Sequence, residues 1–145
     1  MFSHLLIATD GSELSDRALA QGFLLAKALA ATVTVVTATD MIPTGAYGPI
    51  PWPTDIERYE AAAATAAERI LGRAREMAST QNLSCEFLHI VDERPFEAII
   101  KTARERACDL IVMASHGRAG ISSVFLGSET QKVLIRATVP VLVIR

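Results

Sequence analysis

A loop rich in glycine and serine contains the residue types in this chain that most clearly suggest chemistry. Residues 114–128 read ASHGRAGISSVFLGS and follow the apolar run 110–113. The backbone N–H groups of a glycine-rich turn, followed by the N-terminus of a helix, form a concave anion site, and the helix dipole adds its positive end. The loop therefore indicates phosphate binding near Gly117 and Gly127-Ser128. An ordinary surface loop is the alternative.

Polar residues after the first apolar run form a second candidate. Thr9 and Asp10 stand between the apolar residues 5–8 and Gly11. A carboxylate at Asp10 can bind a ligand, or it can accept hydrogen bonds from the backbone that starts the next helix. His116, in the glycine loop, has no carboxylate or nucleophile beside it, so we expect it to fix the backbone or lie beside a phosphate rather than act as a general base.

The sequence offers little support for other kinds of binding or catalytic site. The phosphate-binding motif G-x-x-x-x-G-K-[ST] is missing, and no G-x-G-x-x-G follows the first strand. Asp40 and Asp92 also follow apolar runs, but a phospho-accepting receiver domain needs paired acids after the first strand and a lysine after the fifth. Cys85 and Cys108 lack metal-binding spacing, so we expect free thiols, no disulfide and no zinc. We assign no catalytic residue.

Alternating strand and helix patterns position these residues. The apolar or β-branched runs predict five strands, at residues 4–9, 32–39, 85–91, 110–113 and 139–144. Four helices are predicted between them, starting at the segment DGSELSD from residue 10, at a capping box Thr54 to Glu57, at Pro95, and at a cap formed by Ser128 and Gln131.

This order predicts one α/β domain in 145 residues, a doubly wound parallel sheet with helices on both faces. Ligands of such sheets bind outside the carboxyl ends of the strands where the winding reverses. Strand order 3-2-1-4-5 would bring Asp10 beside residues 114–117. Order 2-1-3-4-5 would bring Asp10 beside Asp92 instead. The residue patterns leave both orders open.

Four segments resemble the universal stress protein family in its nucleotide-binding branch. They are ATDGS at 8–12, CDLIVMASHGRAG at 108–120, LGSETQKVL at 126–134 and PVLVIR at 140–145. The ATP signature of that family is Gly, two residues, Gly, nine residues, then Gly followed by Ser or Thr. Gly117 and Gly127-Ser128 match it, while Ala114 replaces the first glycine. The resemblance covers residues 1–145 and implies a Rossmann-like domain with strand order 3-2-1-4-5.

The resemblance also implies ATP, alone or with Mg²⁺, lying across the point where the winding reverses. Asp10 would bond the ribose or adenine side, Ala38 would offer backbone to the adenine edge, and the glycine loop would surround the phosphates. The implied nucleotide-binding residues are Ala8, Thr9, Asp10, Ala38, Met113, Ala114, Ser115, His116, Gly117, Arg118, Gly120, Gly127, Ser128 and Glu129.

Two of these residues raise specific expectations. If the family glycine adopts positive φ, Ala114 costs about 1–2 kcal/mol, and if it only allows close approach the cost is negligible. Glu129 would repel phosphate if it pointed inward, so we expect it to face solvent or meet a bridging cation.

The proline-rich segment 41–53 is either a lid, with Tyr47 or Trp52 on the adenine or on a second subunit, or simple surface packing.

The amino-acid composition limits the classes of partner that the protein could bind. A formal net charge of −2 gives no basic field for nucleic acid. No apolar run is long enough to span a membrane, and the first residues lack the basic start of a signal peptide, so we expect a cytoplasmic protein without membrane contact. The family is typically dimeric, which implies a homodimer through the apolar last strand, from Val139 to Ile144.

Three functions follow. The first is an ATP-binding protein that regulates a stress response, with slow hydrolysis at most. The second is a nucleotidyl-transferring enzyme on the same fold, although its usual motifs S-G-G-x-D-S and H-x-G-H are absent. The third is a dimeric interaction module that does not bind nucleotide.

Overall fold

A computed structural model describes residues 1–41, 52–117 and 126–145. Strands and helices alternate along these residues. The strands are β1 (His4–Ala8), β2 (Thr32–Asp40), β3 (Cys85–Asp92), β4 (Leu110–Ala114) and β5 (Val141–Ile144). The helices are α1 (Glu13–Leu29), α2 (Pro53–Thr80), α3 (Pro95–Glu105) and α4 (Ser128–Arg136).

The strands form one parallel sheet in the order β3-β2-β1-β4-β5. This order confirms the predicted doubly wound α/β fold and excludes the alternative order that the residue patterns had left open. In the register of the sheet, Ile7 of β1 pairs with Val35 of β2 and with Val112 of β4. The carboxyl ends of β1 and β4 are therefore neighbours, at the point where the winding reverses.

Two apolar layers cover the sheet. Leu5 and Ile7 of β1 pack in a buried cluster with residues of α1 and α2, such as Phe23 and Leu71. Leu6 of β1 points to the opposite face and packs with residues of α3 and α4. Residues 5–8 of β1 are buried and apolar, as a central parallel strand covered on both faces requires.

The predicted start of the second helix is wrong by two residues and in its chemistry. α2 begins at Pro53, its N-cap is Trp52, and no side chain caps it. Thr54 and Glu57 therefore form no capping box, because Pro53 already has the φ angle of a first helical residue and starts the helix before Thr54. Trp52 is 77% exposed, and Tyr47 lies outside the described residues, so the lid and the surface packing considered for segment 41–53 both stay predictions.

Strand boundaries differ from prediction by small amounts. β5 begins at Val141 rather than Val139, and the carbonyl of Pro140 accepts a hydrogen bond from Ile111 N just before the strand. β1 ends at Ala8, although Thr9 N still donates to the carbonyl of Val36 over 2.9 Å. β2, β3 and β4 each extend one residue beyond the predicted end. These extensions carry Asp40, Asp92 and Ala114 to the carboxyl edge of the sheet.

Candidate functional site

A cavity of about 750 Å³ opens at the carboxyl ends of the central strands. Its volume lies within the range usual for sites that hold a small molecule or cofactor. It is lined by Ala8, Thr9, Asp10, Ser15, Val36, Ala38, Asp40, Pro95, Ile99, Met113, Ala114, His116, Gly117, Leu126, Gly127, Ser128, Glu129, Thr130 and Gln131. The strand order explains its place, because helices depart to opposite faces of the sheet after β1 and β4 and leave a gap between them.

The turn between β1 and α1 orients Asp10. Gly11 has φ 77°, in the left-handed region, and lets the chain turn sharply after the strand. Ser12 N then donates to Asp10 Oδ1 over 3.0 Å, and Ser12 caps α1. Thr9 is buried, and its hydroxyl lies 3.0 Å from Ser15 Oγ. The carboxylate therefore bonds the backbone at the helix start, as one interpretation expected. Asp10 also lines the cavity, and its contact with a ligand stays a prediction.

Gly117 lies directly against the carboxylate of Asp10. A Cβ atom at Gly117 would collide with Asp10 Oδ2. Gly117 does not have positive φ, which among the described glycines occurs at Gly11. The glycine is therefore required for close approach between the β1 and β4 ends, and not for an unusual backbone conformation.

Ala114 is the last residue of β4 and keeps ordinary strand geometry. It pairs with Ile144 of β5, is 7% exposed, and is not among the residues with positive φ. The strain considered for an alanine at this position therefore does not arise. Thr130 Oγ1, from α4, donates to the carbonyl of Ala114 over 2.9 Å and ties the strand end to the helix.

Gly127 begins α4 beside the end of β4. Its N–H donates to the carbonyl of Ser115 over 2.7 Å, and its φ and ψ are −60° and 151°. A Cβ atom at Gly127 would lie 3.1 Å from His116 Cα, so the two backbones approach closely. The N-terminus of α4, with backbone N–H groups that a helix leaves unbonded in its first turn, thus opens into the cavity.

The predicted cap of α4 is wrong. Ser128 is the first helical residue and does not cap the helix, since the N-cap is Gly127 and no side chain bonds there. Gln131 instead donates its side-chain amide to the carbonyl of Leu126 over 2.7 Å. The close approach of Gly127 to β4 starts the helix one residue earlier than the serine cap would.

Glu129 makes two bonds that the sequence did not predict. Its Oε2 accepts a hydrogen bond from Phe96 N, in the first turn of α3, over 2.9 Å. Its Oε1 accepts one from Lys132 Nζ over 2.8 Å. The side chain is 38% exposed. The carboxylate is therefore partly exposed to solvent and is also bonded by the protein, because the packing of α4 on α3 brings the N-terminus of α3 within its reach. Contact with a bridging cation stays a prediction.

The remaining predicted residues divide into three groups. Ala8, Thr9, Ala38, Met113 and His116 line the cavity. Ser115 is buried and does not line it, but its hydroxyl lies 3.1 Å from His116 Nδ1 and orients that ring. Arg118 and Gly120 lie outside the described residues.

Sequence reasoning missed eight lining residues. They are Ser15, Val36, Asp40, Pro95, Ile99, Leu126, Thr130 and Gln131. Pro95 and Ile99 belong to α3, and only the packing of α3 against the sheet brings them to the cavity. Thr130 offered a signal, because it is a polar residue on the buried side of an amphipathic helix. Asp40 was considered only for a receiver domain.

No protein-held metal centre is present in the described part of the chain. Nowhere in residues 1–41, 52–117 and 126–145 do three or more His, Cys, Asp or Glu side chains lie close enough to hold an ion.

Cys85 and Cys108 are free, and burial raises the pKa of the Cys108 thiol to about 11. Cys108 is therefore a protonated, inert thiol at neutral pH.

Comparison with known proteins points to one family. The sequence model of the universal stress protein family matches residues 1–145. The chain is similar to a universal stress protein of Thermus aquaticus, with 34% identity over 145 residues, which is 100% of each chain. None of the helices in the described ranges has the length and apolar character needed to cross a lipid bilayer.

Solved structures show the same fold. Universal stress protein UspA from Lactobacillus plantarum is 25% identical, with a TM-score of 0.82 over 99% of this chain and 98% of its own. A universal stress protein in complex with cAMP is 26% identical, with a TM-score of 0.74 over 99% of this chain and 97% of its own.

Proposed function

Because this chain belongs to the universal stress protein family, we propose that it is a cytoplasmic ATP-binding protein. Its nucleotide state would regulate a stress response, with little or no hydrolysis. A related protein of similar fold is described in complex with cAMP, an adenine nucleotide. That relative supports an adenine nucleotide as the class of ligand here.

The observation that carries the proposal is the cavity where the winding of the sheet reverses, with the N-terminus of α4 opening into it. The adenine would lie against the apolar end of β2, at Val36 and Ala38. The ribose would meet the carboxylate of Asp10, which Ser12 N holds in place. The phosphates would meet the backbone at Gly127 and the first turn of α4, because N–H groups and the helix dipole favour anions there.

Mg²⁺ fits this cavity only if phosphate oxygens of the nucleotide are among its ligands. The acidic residues Asp10 and Glu129 line the cavity, and Mg²⁺ is commonly held by one or two carboxylates together with phosphate oxygens. The described residues form no cluster that would hold the ion alone. A cation in this site would neutralise phosphate charge.

Slow hydrolysis follows from the groups at the phosphate end. His116 is the described histidine that lines the cavity, and its Nδ1 lies 3.1 Å from Ser115 Oγ. Phosphoryl transfer needs a positioned water and several charges placed on the transferring group. The described residues of the cavity supply main-chain donors and carboxylates, which suit binding better than transfer.

Calorimetry with a matched pair of variants tests the proposal. Purified protein is examined for co-eluting nucleotide by absorbance at 260 nm and by mass spectrometry, and then titrated with ATP and Mg²⁺. Asp10→Asn should weaken ATP on the order of tenfold, because the amide is a poorer acceptor for ribose hydroxyls than a carboxylate. Asp92→Asn, at the edge strand β3 and outside the cavity lining, is the control.

The opposite result would select the interaction module. A protein that is nucleotide-free and shows no heat with ATP and Mg²⁺ would contradict ATP binding. Persistent dimerisation in that protein would support a module that acts through its surface alone.

A further inference from the structure

The charged residues in the described lining of the cavity are all acidic. They are Asp10, Asp40 and Glu129, and the described lining contains no lysine or arginine. A ligand with several phosphates would therefore meet backbone N–H groups from one side and carboxylates from others. Coulomb repulsion between like charges is stronger in such a partly buried site than in water.

Glu129 is the carboxylate nearest to the N-terminus of α4, since it is the second residue of that helix. Its position is fixed by two bonds, from Phe96 N at 2.9 Å and from Lys132 Nζ at 2.8 Å. The N-cap of α3, Arg94, makes no side-chain capping bond, so Glu129 supplies the cap from the neighbouring helix. The negative charge is therefore held at the cavity wall and cannot easily swing away.

This arrangement leaves one of two helix ends for a ligand. The N-termini of α3 and α4 both border the cavity, through Pro95 and through Gly127. A helix N-terminus favours an anion, and Glu129 already provides that anion at α3. Of these two helix ends, that of α4 remains for a phosphate group, and each further phosphate adds charge beside Glu129.

We propose that Glu129 makes the cavity select nucleotides by phosphate charge. Without a divalent cation the cavity prefers AMP to ATP, and ATP is taken as its Mg²⁺ complex. The inference rests on the proposed nucleotide binding and adds the residue that decides which nucleotide form is bound. Glu129 acts here as a specificity-determining residue.

Lys132 allows a second substitution whose expected effect on ATP affinity is opposite to that of Glu129→Gln. Its ammonium group pairs with Glu129 and lies 5.3 Å from the centre of the Phe96 ring, outside the cavity lining. Removing the charge of Glu129 leaves Lys132 without its ion-pair partner, one helical turn from the cavity wall. Removing Lys132 leaves the Glu129 carboxylate uncompensated. The two substitutions should therefore change ATP affinity in opposite directions.

Calorimetric titration with adenosine, AMP and ATP, each with EDTA and with Mg²⁺, tests this. Glu129→Gln keeps an oxygen that can accept from Phe96 N, and in EDTA it should tighten ATP on the order of tenfold and AMP by less than about threefold. Lys132→Met should weaken ATP in EDTA by about threefold or more. Mg²⁺ should reduce the ATP difference between Glu129→Gln and the unmodified protein to less than about threefold, because the cation offsets phosphate charge.

Glu68→Gln is the matched control. It removes the same charge from an exposed ion pair with Arg75 on α2, away from the cavity, and should leave the ATP to AMP ratio unchanged. An unchanged ratio in Glu129→Gln, with nucleotides still bound, would overturn the role of Glu129 and leave the proposed function standing. Failure of every nucleotide to bind every variant would overturn both.

Discussion

Gly117 and Asp10 lie so close together that the backbone of one fills the space beside the carboxylate of the other. Neither residue is unusual in its own conformation, since Gly117 lacks positive φ and Asp10 makes a common turn bond with Ser12 N. What is specific is their approach across the ends of β1 and β4. The glycines of the site therefore leave space for neighbouring atoms, and a substitution there tests whether that space is needed.

Gly117→Ala should weaken ATP on the order of tenfold or more, because the added methyl group pushes the Asp10 carboxylate from its bond with Ser12 N. Calorimetry measures the affinity and urea unfolding measures the stability. The control is Gly72→Ala, in α2, where an added Cβ meets no atom within 4 Å. That variant should be more stable by about 0.5–1 kcal/mol. Unchanged ATP affinity in Gly117→Ala would contradict the contact.

Ala114→Gly should leave ATP affinity within about twofold, because Ala114 has ordinary strand geometry and no strain is there to relieve. The free energy of unfolding should fall by about 0.5–1 kcal/mol, the usual cost of glycine inside a strand. Titration calorimetry and urea unfolding check the two parts. A gain in affinity of tenfold would show that the alanine does restrict the site.

At the scale of elements, side chains tie strand ends to each other and to helices. Asp109, just before β4, accepts hydrogen bonds from Ser3 N, Ser3 Oγ and His4 N, and so joins the amino ends of β1 and β4. At the carboxyl edge, Thr130 joins α4 to β4. These bonds hold the two central strands and the helix whose N-terminus borders the cavity.

Asp109 should make stability depend on acid. Burial raises the pKa of its carboxyl, but the hydrogen bonds from His4 and Ser3 outweigh burial and hold the pKa below its ordinary value. Its contribution is therefore complete above the unfolded pKa of about 4 and is lost as pH falls through the lower folded value. Urea unfolding from pH 7 to pH 2 should show Asp109→Ala less stable at neutral pH and equal to the unmodified protein in acid.

Glu60→Ala, at an exposed position of α2, serves as the control for Asp109→Ala and should not produce this pattern. A difference between Asp109→Ala and the unmodified protein that stays constant down to pH 2 would mean that the Asp109 charge contributes nothing.

Thr130→Val should lower the free energy of unfolding by about 1–3 kcal/mol, because it leaves the carbonyl of Ala114 without its side-chain donor in a buried place. Valine has nearly the shape of threonine, so packing is preserved. Thr65→Val is the matched control, since the Thr65 hydroxyl bonds the carbonyl of Ala61 on an exposed face of α2. Equal losses in the two variants would show that burial of the Thr130 bond is unimportant.

At the scale of the whole molecule, β5 is an edge of the sheet. Pro140 and Ile144 direct their carbonyls to β4, where Ile111 N and Ser115 N donate to them. Residues of a strand alternate in direction, so the N–H groups of Val141 and Val143 point to the free edge. Leu142 is 37% exposed there. A homodimer through this strand, as we propose, would pair those N–H groups with a second copy.

Val143→Pro should convert a dimer to a monomer in light scattering after size-exclusion chromatography, because proline removes an edge N–H without taking a bond from β4. Val143→Thr keeps the N–H and is the control. Far-UV circular dichroism confirms that each variant folds. A monomeric unmodified protein, or a folded Val143→Pro dimer, would contradict pairing through β5.

The sequence predicted the strands and helices better than the helix caps and the contacts between elements. Apolar periodicity identified every strand to within two residues, because side-chain spacing along one segment is a local property. Two helix caps were wrong, at Thr54 and at Ser128, because a proline and a close backbone contact started those helices earlier. Eleven predicted site residues line one cavity, and their binding of a nucleotide stays a prediction. The lining residues from α3 could not be predicted, since no local pattern says which face of the sheet a helix covers.

By itself the sequence determined an alternating α/β chain with a glycine loop after the fourth strand and a carboxylate after the first. The tertiary structure decided that these two meet, because strand order selects neighbours that residue patterns left open. It also decided the partner of Glu129, which bonds Phe96 N from 33 positions away along the chain. Spacing along a segment is set by local geometry. A bond between two helices exists only after both have packed on the same face of the sheet.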